Sequence, residues 1–157
     1  MQRIVPNLWF DTEAEDAAKF YTSIFPDSRI NNVMHYGDSG PREAGLVLTV
    51  DFEIKGQPFT AINGGPEFKF DEAVSFLVEC ENQEEVDEYW DQLLEGGTES
   101  QCGWLKDKYG LSWQIIPKQL GELLSSGTPE QRNRTMEAML KMVKIDIKVL
   151  EDAHRSE

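Results

Sequence analysis

The sequence is poor in basic residues, histidine and cysteine. Fifteen lysines and arginines stand against 29 aspartates and glutamates, so the formal net charge of the 157 residues is −14 at pH 7. Such a field repels phosphate backbones and anionic lipid headgroups, which argues against binding nucleic acid or a membrane surface. It would attract a cationic ligand, although solubility alone also accounts for it.

The two cysteines form no recognisable metal motif, because a structural zinc site needs four ligands in close pairs. A disulfide between Cys80 and Cys102 is not expected in a reducing cytosol. Cys80 ends an apolar run and is predicted to be buried. Cys102 has no histidine near it in sequence, so a catalytic thiol is not expected there.

Long apolar runs are also missing. None approaches the roughly 20 residues that a membrane-spanning helix needs. The first ten residues, MQRIVPNLWF, lack the basic region, apolar stretch and small-residue cleavage site of a signal peptide. We therefore expect a cytoplasmic protein.

The pattern that is present repeats once. Residues 3–10 read as a strand, and 13–25 have helical spacing of apolar residues after a cap at Asp11 or Thr12. Three more strands follow, at 29–37 and on either side of a turn at 55–57.

The second half has the same order of elements. A strand at 73–80 precedes a helix at 83–95 with Asn82 as its cap, and short strands follow up to Pro117. GQPFTAI at 56–62 matches GLSWQII at 110–116, and Phe20-Tyr21 matches Tyr89-Trp90. The chain therefore predicts an α+β fold of two β-α-β-β-β modules, at 1–63 and 72–117, each with a sheet face that needs cover.

Residues 118–157 lie outside the repeat and predict a helical extension. A helix cap is indicated at Thr128, with Pro129 at the first helical position and Gln131 at the capping-box position. Apolar residues then recur at helical spacing and predict a buried stripe. They are Met136, Met139, Leu140 and Val143.

The stretch GWLKDKYGLSWQIIP at 103–117, with Asp107-x-x-Gly110 leading into the last strand, resembles the vicinal-oxygen-chelate superfamily. This superfamily includes the glyoxalases, bleomycin-resistance proteins and extradiol dioxygenases. The stretch is most similar to small PhnB-like members labelled 3-demethylubiquinone-9 3-methyltransferase. The resemblance implies one domain overall, in which the two modules' sheets curl around a cleft.

In glyoxalase-type members that cleft holds a divalent metal, through one side chain from the first and last strand of each module. The resemblance implies ligand positions at Pro6, Thr60, Ser75 and Gln114, where Gln114 replaces the usual glutamate. A shift of two residues on the first strand would bring Ile4 or Leu8 instead. Neither set contains an imidazole or carboxylate, so we predict no metal and no other cofactor.

Strand alternation extends the set of cleft candidates. Ser112 shares a face with Gln114, and Glu79 shares one with Ser75, whereas Trp113 should face the helices. Trp104 is expected at the mouth of the cleft. This mixture suits either a small-molecule pocket or a packed sheet interior. No catalytic residue stands out, because His35 and His154 are isolated and Asp107 is best placed to hold a turn.

Two classes of function remain. One is a metal-free protein that binds a small organic molecule in the inter-module cleft; the alternative is an enzyme with chemistry of the superfamily type. The methyltransferase label is a weaker possibility, since the glycine cluster at 62–68 precedes a strand and lacks a nucleotide-binding spacing. We also expect a homodimer.

Overall fold

The computed structural model describes residues 3–156, and the chain divides after Phe70 into two compact units. Each unit contains one β-α-β-β-β module with a four-stranded mixed sheet, which confirms the predicted fold class. Within the described residues, no helix is both long and apolar enough to cross a membrane.

The first unit begins with strand β1 and helix α1 and continues with three antiparallel strands. The bounds are β1 Asn7–Phe10, α1 Ala14–Ile24, β2 Ser28–His35, β3 Val47–Ile54 and β4 Gln57–Asn63. The sheet order is β1-β4-β3-β2, with β1 parallel to β4. Helix α1 buries Ala14, Ala17, Ala18 and Tyr21 against one face, where Tyr21 lies over Phe52.

Helix α1 is capped differently from the prediction. Neither Asp11 nor Thr12 is the cap: Glu13 occupies that position and makes no side-chain cap. The first helical amide, Ala14 N, instead donates to Asn63 Oδ1 at 2.8 Å, from the end of β4. A side chain 49 residues away in sequence therefore supplies an acceptor that helix starts usually find locally.

The second unit repeats this arrangement and adds three helices. The bounds are β5 Ser75–Cys80, α2 Gln83–Leu94, β6 Thr98–Glu99, β7 Trp104–Lys106, β8 Ser112–Pro117, α3 Lys118–Leu124, α4 Pro129–Leu140 and α5 Ile147–Arg155. The sheet order is β5-β8-β7-β6, with β5 parallel to β8. Helix α2 packs on one face through Val86, Trp90 and Leu93.

Two predicted caps in the second unit are confirmed. Asn82 accepts from Glu85 N at the start of α2, and Thr128 and Gln131 form a reciprocal capping box at the start of α4. Both pairs lie three residues apart, so the local sequence specifies them without help from the rest of the fold.

The buried stripe predicted for α4 is only partly correct. Met139 packs against a cluster of Leu120, Met142, Ile145 and Leu150, but Met136 and Leu140 are 39% and 58% exposed. The buried residue of α4 is Thr135, whose hydroxyl donates to Gln131 O. That bond satisfies the polar atom, so a threonine takes an inward position that the apolar pattern did not predict.

Candidate functional site

The face of the second sheet opposite helix α2 brings together most of the predicted site residues. Cα partners across a sheet point their side chains to the same side. Ser75 pairs with Ser112, Leu77 with Gln114 and Glu79 with Ile116, while Trp104 and Lys106 of β7 pair with Gln114 and Ser112. We call the surface formed by these eight residues the site face.

A side-chain pair occupies the centre of the site face. Gln114 Nε2 donates to Ser75 Oγ at 2.9 Å, and both side chains are half-buried. The two residues that the resemblance implies as metal positions in this unit therefore hydrogen-bond to each other. Leu77, the Cα partner of Gln114 on the same face, is 56% exposed.

A cavity of about 150 Å³ opens beside Ser112 at the β7 side of the face. It is lined by Glu72, Thr98, Ser100, Trp104, Lys106 and Ser112, among others. Ser112 is 1% exposed, and its hydroxyl has no hydrogen-bond partner among the described residues. An unsatisfied buried hydroxyl costs about 1–3 kcal/mol relative to one with a partner.

An ion pair closes one side of this cavity. Lys106 Nζ contacts a carboxylate oxygen of Glu72, which lies three residues before the start of β5. The hydrogen bond from Lys106 lowers the pKa of Glu72 below its ordinary value of 4.5. Strand alternation was not used to predict either residue. It could not have found Glu72, which lies in a loop before the strand begins.

This ion pair predicts an acid-sensitive contribution to stability. Because the pKa of Glu72 is lower in the folded protein, its stabilisation is complete above pH 4.5 and is lost as the pH falls through the lowered value. Glu72→Gln should lower the melting temperature slightly at pH 7 and have no effect at acid pH, where both proteins lack the pair. Thermal melts across this pH range test the prediction, with Glu137→Gln, a change at an exposed residue of α4, as the control. A difference between Glu72→Gln and wild type that persisted at acid pH would contradict it.

The opposite face of the sheet is occupied by structural residues. Trp113 is 3% exposed and packs beside Phe76, as predicted for a residue facing the helix. Its indole Nε1 donates to Asp107 Oδ2 at 2.9 Å, and Asp107 Oδ1 accepts from Tyr109 N and Leu111 N. The carboxylate of Asp107 therefore holds the turn into β8, as predicted.

In the first unit, Thr60 lies on the helix-free face with a carboxylate that the sequence reasoning missed. Thr60 Oγ1 donates to Asp51 Oδ1 at 2.8 Å, and the two residues are Cα partners between β3 and β4. The run LTVDFEI alternates polar and apolar residues, so Asp51 could have been placed on this face from the sequence.

The position assigned to Pro6 is wrong by one residue. Thr60 pairs with Asn7 and Gln114 pairs with Leu77, so the counterpart of Ser75 is Val5. The count back from the helices failed because three residues separate β1 from α1 but only two separate β5 from α2. Pro6 itself precedes β1, and its carbonyl accepts from Thr60 N at 3.0 Å.

The residues at these positions do not fit a divalent metal of the glyoxalase type. Valine or proline offers no side-chain ligand. Gln114 Nε2 donates a hydrogen bond to the hydroxyl of Ser75. Across residues 3–156, no group of three or more His, Cys, Asp or Glu side chains is placed to hold a metal ion. Hydroxyls and amides are poor ligands for such metals. The residues at these positions therefore lack the imidazole and carboxylate ligands that a glyoxalase-type metal site needs.

Acid–base groups near the site face are few. Glu79 lies on the face but is exposed at the strand end, and Glu72 is ion-paired. Burial raises the pKa of the Cys80 thiol to about 12, so this thiol is no nucleophile near neutral pH. His154 contacts Ser126 O in the C-terminal helices, far from any of these groups in sequence.

Comparison with known proteins now identifies the family. The family described as 3-demethylubiquinone-9 3-methyltransferase matches residues 2–116. A solved structure from Bacillus cereus, described as a putative 3-demethylubiquinone-9 3-methyltransferase and PhnB protein, is 36% identical, with a TM-score of 0.68, covering 74% of this chain and 99% of its own. The chain belongs to the PhnB-like family of the vicinal-oxygen-chelate superfamily.

More distant structures share the fold alone. The protein PA1353 from Pseudomonas aeruginosa is 17% identical with a TM-score of 0.62, covering 74% of this chain and 98% of its own. The fosfomycin resistance protein FosX from Listeria monocytogenes is 15% identical with a TM-score of 0.51, covering 84% and 98%. No curated protein gives a significant match.

Proposed function

We propose that this PhnB-like protein binds a small organic molecule without a metal ion, at the site face of its second unit. The observation that carries the proposal is the buried, unpartnered hydroxyl of Ser112 beside a cavity with Trp104 as a wall. An aromatic wall with a few directed polar groups is typical of small-molecule sites.

The size of the cavity limits the ligand. About 150 Å³ is below the roughly 300–1,000 Å³ of sites for drug-sized molecules. The proposed ligand is therefore a compact molecule, or one group of a larger molecule that extends over Leu77 and the Ser75–Gln114 pair. A hydrogen-bonding group on the ligand would satisfy Ser112, and its apolar part would cover Trp104 and Leu77.

The absence of suitable ligands supports the metal-free part of the proposal. A metal at Ser75 and Gln114 would gain only two weak neutral ligands, a hydroxyl oxygen and an amide oxygen. The cleft shared with the first module, the homodimer and the cytoplasmic location stay predictions. Methyl transfer is not proposed, because the glycines at 64–65 follow β4 and the next element is strand β5, not a helix.

Native mass spectrometry of protein purified without chelator tests the proposal. We expect no stoichiometric divalent metal and an additional small mass that is lost on denaturation. Ser112→Ala should reduce the occupancy of that mass about tenfold, since a hydrogen bond to a buried group is worth about 1–2 kcal/mol. Ser125→Ala, which changes an exposed hydroxyl of the extension, is the matched control and should retain the mass.

Two outcomes contradict the proposal. A stoichiometric divalent metal would restore the glyoxalase-type site, and the metal-free part would then be wrong. If no small mass is found, the purified protein can be screened by thermal shift against a library of compact organic cations and neutral molecules. Compounds that stabilise the wild type and Ser112→Ala equally would place binding elsewhere on the protein.

A further inference from the structure

The C-terminal extension lies beyond the part of the chain that the family shares. The family match ends at residue 116, and the Bacillus cereus relative is covered almost completely by 74% of this chain. Helices α3, α4 and α5 nevertheless form a layer of the second unit with an apolar cluster of their own. Ile116, the last residue of the site face on β8, packs against that cluster.

The extension also bonds to the backbone next to the cavity. Cys102 N donates to Met142 O at 2.9 Å, and Gly103 N donates to Val143 O at 2.8 Å. These two residues form a turn with φ of 58° and 86°, both in the left-handed region. Trp104, which follows directly, is a wall of the cavity.

The turn fits closely beneath the extension. A Cβ on Gly103 would lie 2.9 Å from Ile116 Cδ1 and 3.0 Å from Ile145 Cγ1. Glycine is therefore required for both its backbone conformation and its lack of a side chain. Displacement of the extension would remove two acceptors and one packing surface from this turn at the same time.

A glutamine of α2 makes two hydrogen bonds to the backbone of the extension. Gln83 Nε2 donates to Ile145 O at 3.0 Å, and Gln83 Oε1 accepts from Ile147 N at 2.8 Å. Its neighbour one turn along α2, Asp87, pairs with Lys144 at 2.7 Å. Hydrogen bonds from Lys144 and then Gln83 lower the pKa of Asp87, so the carboxylate stays ionised through the neutral range.

We propose that the extension is a positioning element of the site: fastened by Gln83, it fixes the 102–103 turn and through it the orientation of Trp104. Gln83 is thus a positioning residue for the cavity, although it does not line it. The inference rests on the proposed function only in assigning Trp104 to a binding site. Its test needs no ligand, so the two can fail separately.

The test compares Gln83→Ala with wild type by amide hydrogen exchange and by tryptophan emission. Loss of the two part-buried hydrogen bonds of Gln83 should speed exchange at Cys102 and Gly103 about tenfold, while amides in the middle of α2 keep their rates. The emission of Trp104, obtained by subtracting the spectrum of Trp104→Phe in each background, should shift to longer wavelength. Its quenching by acrylamide should rise about twofold as the turn loosens.

Two further variants make the result decisive. Gln131→Ala removes the capping box of α4 but leaves the Gln83 bonds intact, so it should destabilise the extension without changing Trp104 emission. Ile145→Asp places a charge in the apolar cluster and should displace the extension even if Gln83→Ala does not. If exchange at Gly103 rises in either Gln83→Ala or Ile145→Asp while Trp104 emission and quenching stay at wild-type values, the inference is wrong.

Discussion

Asp107→Ala should destabilise the second unit by about 3–4 kcal/mol. The side chain is 3% exposed and accepts three hydrogen bonds, at 2.8 Å from Tyr109 N, 3.1 Å from Leu111 N and 2.9 Å from Trp113 Nε1. Alanine would leave these donors without their acceptor, and each buried donor costs about 1–3 kcal/mol.

Conservative variants separate the bonds to the turn from the bond to the indole. Asp107→Asn keeps one oxygen for the two backbone amides but turns an NH₂ group toward Trp113 Nε1, so it should cost roughly half as much. Adding Trp113→Phe to Asp107→Asn should cost less than the sum of the two, because the clash between donors is gone. Urea denaturation followed by circular dichroism provides these free energies. A loss below about 1 kcal/mol for Asp107→Ala would contradict the account.

Asn63→Ala should destabilise the first unit by about 2–3 kcal/mol. Asn63 is 1% exposed; Oδ1 accepts from Ala14 N at 2.8 Å and Nδ2 donates to Val47 O at 3.0 Å. Alanine would remove the acceptor at the start of α1 and leave a small cavity. Asn31→Ala is the matched control, since Asn31 is exposed and bonds only to Glu53, and it should cost less than about 0.5 kcal/mol.

A second substitution, Asn63→Asp, separates the two hydrogen bonds as causes of the lost stability. Asn63→Asp keeps an acceptor for Ala14 N and adds a negative charge at a helix N-terminus, but it loses the bond to Val47 O. It should therefore fall between wild type and Asn63→Ala in the same urea experiment. An Asn63→Asp protein no more stable than Asn63→Ala would show that the helix cap does not offset the lost bond to Val47 O and the carboxylate oxygen buried beside that carbonyl.

The sequence predicted features that depend on near neighbours. The caps at Asn82 and Thr128, the turn at Asp107 and the faces of β5 and β8 all follow from spacings of a few residues. The fold class followed from the repeated order of elements, and the family from the stretch at 103–117 that spans the turn and the last strand. Each of these is specified by local geometry that a pattern can represent.

Features that depend on distant partners were missed. Asn63 caps α1 across 49 residues, and nothing in the sequence around Ala14 indicates it. The register of β1 depended on the length of a connection, and a one-residue difference between the modules misplaced Pro6. The fastening of the extension by Gln83 joins residues more than 60 positions apart.

The long-range cap has a consequence for synthesis on the ribosome. Residues 14–24 emerge well before Asn63, so the nascent helix lacks the acceptor for its first amide during that interval. Only when β4 has left the exit tunnel and paired with β1 does the acceptor reach Ala14. The first module therefore completes its helix only after its last strand, and a ribosome stalled before residue 63 would hold a chain with a frayed α1.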